Sequence, residues 1–172
     1  MDEKISIKLW LISLVVFVGV VVASSAVEQG GGFPSILDHQ AAGTGERVNE
    51  IQTRWREGGV RNIAIFAVVA DLAWIWIYAL GSFLVGKGFA SKREGALRLI
   101  GLVIVASAIV FVLADYIETT LQFVQLLRDA GDDTLASVAA SAQPIKIVAF
   151  IAAFIGVILV VAIDRLKRAS ST

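Results

Sequence analysis

Asp115, Glu118, Thr119 and Gln122 stand at i, i+3, i+4 and i+7 within LADYIETTLQFVQ, Leu113–Gln125. On a helix that spacing gathers them into one polar stripe. Ser107 and Phe111 continue the stripe toward the N-terminal end of the same segment. Asp71, Trp74 and Tyr78 repeat the pattern in VADLAWIWIY, Val69–Tyr78, while Trp76 falls on another face. Both stretches sit in runs that are otherwise apolar. A carboxylate at the centre of a spanning helix costs on the order of 2.5–3.5 kcal/mol. Both stripes are therefore expected to face a bundle interior or a wet cavity. Carboxylates placed there can pair with a base, hold a proton or a cation, or act as general acid and base.

One base is positioned to meet them. Lys146 opens a later apolar run, and Arg61 precedes the run that carries Asp71. By helical rise, Asp71 lies roughly 13 Å in from Asn62 and Asp115 roughly 25 Å from Arg98, so the acids and Lys146 share one half of a bundle. One lysine cannot balance three carboxylates. Protonation, a bound cation or arginines folding in from a loop would close the difference. The plainer reading is that these side chains tie helices together, at about 0.6 kcal/mol each, or that Asp115 and Glu118 mark the headgroup level. Asp71 lies too deep for the second of these.

Asp38 and His39 form a second candidate, a carboxylate beside the chain's only histidine, in a long polar loop. No nucleophile accompanies them, and a solvated loop histidine is the simpler expectation. With one histidine and no cysteine, a multi-histidine or thiolate metal centre is excluded within one chain. No phosphate-binding glycine loop, G-x-S-x-G or H-E-x-x-H is present. Neither a metal nor a cofactor is expected, and nothing points to nucleic acid.

The elements that must position these groups are apolar helices. The 172 residues are 57% hydrophobic and 17% charged, with net charge +0, and the mean hydropathy is +0.79. Four runs, Leu9–Val27, Ile63–Val85, Leu97–Ile117 and Ile145–Ile163, meet the length of a membrane span. The expected fold is an all-α four-helix transmembrane bundle forming a single integral membrane domain, residues 1–172. The first run has the layout of a secretory signal, with Lys4 and Lys8 before it and Ser24-Ser25-Ala26 near its end. Its length, Trp10 and the acidic Asp2 and Glu3 favour a retained helix.

Gly30-Gly31-Gly32 and Pro34 should end that helix. In the loop that follows, Gly45–Gly58 reads as an amphipathic helix with Thr44 as N-cap and Val48, Ile51 and Trp55 on one face. It would lie on the membrane surface, cap the bundle or stand solvated. Gly86-Lys87-Gly88 should end the second span, and the short link Lys87–Arg98 makes spans two and three antiparallel neighbours. The third helix should continue to Arg128 and stop at Ala130–Asp133. The small-residue stretch Thr134–Gln143 leads to Pro144, expected in the first turn of the fourth helix. Gly19-x-x-x-Ala23 and Ala152-x-x-x-Gly156 fit close helix packing. A basic tail, Asp164–Arg168, precedes Ala169–Thr172, which reads as disordered.

Nine lysines and arginines fall on the side of the termini and the Lys87–Arg98 link, against six on the side with far more loop. That bias orients a multi-pass cell-membrane protein with both termini cytoplasmic and the acidic loops, with the amphipathic helix, outside.

The order Ile36-Leu37-Asp38, Thr44, Arg47, Glu50-Ile51, Trp55, Asp71, Tyr78 and Asp115-x-x-Glu118 resembles a group of small four-span bacterial membrane proteins without an assigned activity. The resemblance implies that the outer loop and the two acidic helices work as one unit. Three functions fit. The first is a non-enzymatic bundle whose outer-half cavity, bounded by Asp71, Trp74, Tyr78, Asp115 and Glu118, binds a cation, proton or amphiphile. The second is an intramembrane lipid-modifying enzyme using the same carboxylates. The third is a structural subunit of a larger membrane complex. Membrane lipids are expected partners in each, with a homo-oligomer or larger assembly open.

Overall fold

Four long helices carry nearly all of the apolar sequence. A computed structural model describes residues 3–28 and 32–169, without the side chains of Glu3 and Arg168. The expected helix break at Gly30-Gly31 lies outside the described residues, as do residues 170–172 of the tail expected to be disordered, whereas its first residue, Ala169, closes α6. The elements are α1 Glu3–Glu28, α2 Ile36–Gln40, α3 Gly45–Glu57, α4 Arg61–Lys92, α5 Gly95–Arg128 and α6 Asp133–Ala169. Helices α1, α4, α5 and α6 are each long and apolar enough to cross a membrane, which is the mark of a multi-pass membrane protein. Among the described residues there is no strand.

The long helices pack in the order α1–α4–α5–α6, each against the next. Aromatic contacts from α1 to α6, Trp10 to Phe154 and Phe17 to Phe150, close the circle. Outward faces are apolar: Val15, Phe66, Leu99 and Val148 are each more than 60% exposed. A soluble protein would not present so much apolar surface, and lipid accounts for it.

One end of the bundle is capped by α2 and α3, and the other carries the α4–α5 turn. The amphipathic helix is neither solvated nor detached. Thr44 caps α3 by accepting from the Arg47 amide at 3.2 Å. Val48, Ile51 and Trp55 are buried, and the Trp55 indole donates to the Pro34 carbonyl at 2.7 Å. The Gly45 amide donates to Asp133 at 2.8 Å, and the Gly131 amide to Asn49 at 2.6 Å. A Cβ on Gly45 would sit 3.0 Å from the Asp132 amide nitrogen, so glycine is what lets α3 reach the α5–α6 turn.

Two expected helix boundaries are corrected. Gly86-Lys87-Gly88 does not end the second span. Helix α4 runs through to Lys92, and only Arg93-Glu94 separates it from α5. The reason is packing: a Cβ on Gly86 would lie 2.8 Å from the Gly101 carbonyl oxygen, and one on Gly101 2.6 Å from the Ala90 nitrogen. These glycines bring two helices together instead of breaking one. Pro144 does not start the fourth helix but lies inside α6, which begins at Asp133. The small residues before it are helical because Asp132 caps them, accepting from the Leu135 amide at 2.9 Å, and because Ala136 and Ala139 are buried. Of the two small-residue pairs, Gly156 faces Ile104 closely, whereas Gly19 has nothing near it.

Candidate functional site

The halves of α4, α5 and α6 nearest the cap contribute to one polar cluster. The Lys146 ammonium on α6 lies 2.9 Å from Asp115 Oδ1 and 2.9 Å from Glu118 Oε1, both on α5. Asp115 is 1% exposed and Glu118 fully buried. The next turn of α5 adds Thr119, whose hydroxyl lies 3.4 Å from Asp115 Oδ1 and 3.5 Å from Asp71 Oδ2 on α4. Gln122 donates to Glu118 Oε1 at 3.3 Å. The helical period that put these four residues on one stripe thus turns them inward together, with Phe111 buried below them.

The stripe extends one turn beyond the expected residues. Gln125 is fully buried, and its side-chain oxygen accepts from the Asp132 amide at 3.0 Å. It follows Gln122 by three, so the same periodicity points to it. Arg61, the second cation in reach by sequence, is not part of the cluster. Its guanidinium donates to the Leu126 carbonyl at 2.7 Å and lies 3.8 Å from Asp129, which Arg56 also contacts. Among the described residues, Lys146 is the one cation in contact with these carboxylates.

Beside the cluster opens a cleft of about 360 Å³. Asp71, Asp115 and Lys146 form its charged floor. Phe17, Val20 and Ser24 of α1 make one wall, and Gln143, Ile147 and Phe150 of α6 the other. Trp74 and Phe111 lie at its base, and Ile36, Leu37 and Gln40 of α2 cover its top. The exposed lining residues sit on α1, α2 and α6: Val21 at 49%, Leu37 at 66% and Ile147 at 47% are apolar, and Glu28, at the capped end of α1, is charged. The mouth therefore opens sideways between α1 and α6, under the cap. Glu118, Thr119 and Gln122 stand behind the floor and do not line the cleft. The α1 wall is what the sequence did not disclose, since Phe17 and Ser24 carry no pattern of their own.

Trp74 organises the base. Its ring centroid lies 4.7 Å from Phe17, 5.4 Å from Tyr78, 5.7 Å from Phe111 and 6.0 Å from Phe150. Its indole donates to the Ser13 carbonyl at 2.9 Å. Tyr78 sits deeper, outside the cleft, and its hydroxyl donates to the Phe150 carbonyl at 3.0 Å. Trp76 is 57% exposed on the outward face, against Tyr116.

Asp38 and His39 are corrected. Asp38 closes a capping box at the start of α2, accepting from the Ser35 amide at 2.7 Å and hydroxyl at 2.9 Å. Those bonds, with Arg47 adding to them, hold its carboxyl below the ordinary range. His39 is not solvated: it is 2% exposed, its ring tilted against Trp55 at 5.0 Å and bonded to Gln52 at 3.1 Å. Burial pushes its imidazole down to about 4. The two side chains serve different neighbours and form no dyad. An apolar core beneath the loop, built from Val27, Ile36, Ile51 and Trp55, is what draws the histidine in.

No three metal-binding side chains converge among the described residues to hold a metal ion. Lys146 fills the space between Asp115 and Glu118 instead. No protein-family model, curated protein or solved structure matches this chain.

Proposed function

We propose that this membrane protein is a non-enzymatic binder, which receives an amphiphile sideways from the bilayer and holds its polar head at Asp71, Asp115 and Lys146. The carrying observation is the cleft itself: about 360 Å³, largely apolar walls, a lateral mouth that is apolar apart from Glu28, and a charged floor. A ligand that partitions into lipid would enter through such a mouth without crossing water. The bias of lysine and arginine toward the termini and the α4–α5 turn supports a cell-membrane protein with the cap on the extracytoplasmic side, so the ligand would come from the outer leaflet.

Lipid-modifying chemistry at the same carboxylates would need a free base or nucleophile beside them. Lys146 is held by two carboxylates, and the Tyr78 hydroxyl is committed to a backbone carbonyl. Binding is the better-supported reading. Its test uses the protein in lipid nanodiscs and three decyl amphiphiles with cationic, zwitterionic and anionic heads. At least one should bind saturably, and Ser24→Trp, which fills the cleft from α1, should weaken that binding by about ten-fold or more. Val22→Trp, on the outward face of the same helix, should leave it unchanged. Equal binding by the wild type and Ser24→Trp would sink the reading.

A further inference from the structure

We infer that the head held in the cleft is a monocation, an amine or quaternary ammonium, and this rests on the binding role just proposed. Two independent features of the site carry it. The first is charge. The Lys146 ammonium is already shared between Asp115 and Glu118 at 2.9 Å each. Asp71, on the opposite wall of the floor, meets the Thr119 hydroxyl at 3.5 Å and no cation among the described residues. Glu118 Oε2 is buried without any hydrogen-bond partner. Two carboxylates thus share one ammonium with a third beside them, and the least compensated of those lining the cleft is Asp71. An anionic head would meet two carboxylates and a lysine whose charge is already spent. A cation beside Asp71 would supply what the floor lacks.

The second feature is the aromatic base. Trp74 lies one helical turn from Asp71, and Phe17, Phe111 and Phe150 surround it, all four rings lining the same cleft. Ring faces attract cations, most strongly when water is excluded. A carboxylate next to an aromatic cage is the chemistry that recognises an alkylammonium head, while the apolar walls receive its chain. The other charged groups near the cleft agree in sign. Glu28 of α1 lines its mouth. On α2, Asp38 is committed to Ser35 and His39 is turned into the cap.

The test holds the tail constant and varies the head, in nanodiscs at pH 7, with radiolabelled decyltrimethylammonium, decylphosphocholine and decyl sulfate. Decyltrimethylammonium should bind saturably and at least about ten-fold more tightly than either of the others. Asp71→Asn should weaken it by about ten-fold while decylphosphocholine changes little. Phe17→Leu, which leaves every charge in place, should weaken it by a few-fold, so that the inference does not hang on a charge variant. Mass spectrometry of the purified protein separates a resident amino-lipid from a cation supplied free; either is a cationic occupant and agrees. Equal or tighter binding of the sulfate or the phosphocholine overturns the cation assignment while the amphiphile reading stands. Saturable binding of none of the three overturns both.

Discussion

Ion pairs join the helices toward opposite ends of the bundle, and the two are built differently. Away from the cap, Arg93 in the α4–α5 turn grips Asp164 of α6 with two bonds, 2.8 and 3.2 Å, and lies 5.5 Å over the Phe89 ring. The guanidinium meets the carboxylate through two bonds in matched planar geometry, and neither residue lines the cleft. Toward the cap, Lys146 serves Asp115 and Glu118, Asp71 stands nearby without a cation, and a cleft opens on the group. The first arrangement matches cation to carboxylate and fastens helices. The second leaves negative charge unanswered next to an entrance, and it is this difference that separates a strut from a candidate site.

The largest effect is expected at Lys146. Lys146→Met leaves Asp115 and Glu118 buried and unpaired, and should cost about 3–5 kcal/mol, read by thermal or denaturant unfolding in detergent. A loss below about 1 kcal/mol would mean that these carboxylates do not depend on the lysine. Next comes the cap. His39 is neutral when folded, with its imidazole at about 4 against an ordinary 6.5. Between those values the unfolded chain binds the extra proton. Stability is therefore complete above pH 6.5 and falls as pH drops toward about 4, at most about 1.4 kcal/mol per unit. Hydrogen exchange of α2 and α3 should show the cap loosening over that window, and His39→Gln should flatten the dependence.

Smaller effects belong to the end away from the cap. Gly101→Ala drives a Cβ to within 2.6 Å of the Ala90 nitrogen and should cost about 1–3 kcal/mol, with amphiphile binding preserved. Asp164→Asn weakens a pair whose arginine side chain is 24% exposed, and should cost about 1–2 kcal/mol. Melting temperature together with binding, measured on the same preparations, separates these variants from those of the cleft.

The sequence carried the helical architecture well, because four apolar runs of spanning length admit few other folds. It also carried the α5 stripe, since Asp115, Glu118, Thr119 and Gln122 share a face wherever the helix is placed. Misreadings came where a residue's local tendency yielded to its neighbours. Gly86 and Pro144 break isolated helices, yet Gly86 makes room for α5 and Pro144 is carried within a long α6. His39 looked solvated because the core that buries it comes from α3 and Pro34, which only the fold brings together. The cleft was invisible for the same reason: its α1 wall is ordinary apolar sequence until α6 stands opposite.

The two charge clusters do different work, and one paired measurement separates them. Saturable binding of decyltrimethylammonium and thermal stability are recorded for Asp71→Asn and Asp164→Asn in the same nanodiscs. Asp71→Asn should lose binding by about ten-fold and keep its melting temperature, and Asp164→Asn should do the reverse. Unchanged binding in Asp71→Asn, or an equal loss of binding in both variants, would mean that the cluster beneath the cap is a strut like the other.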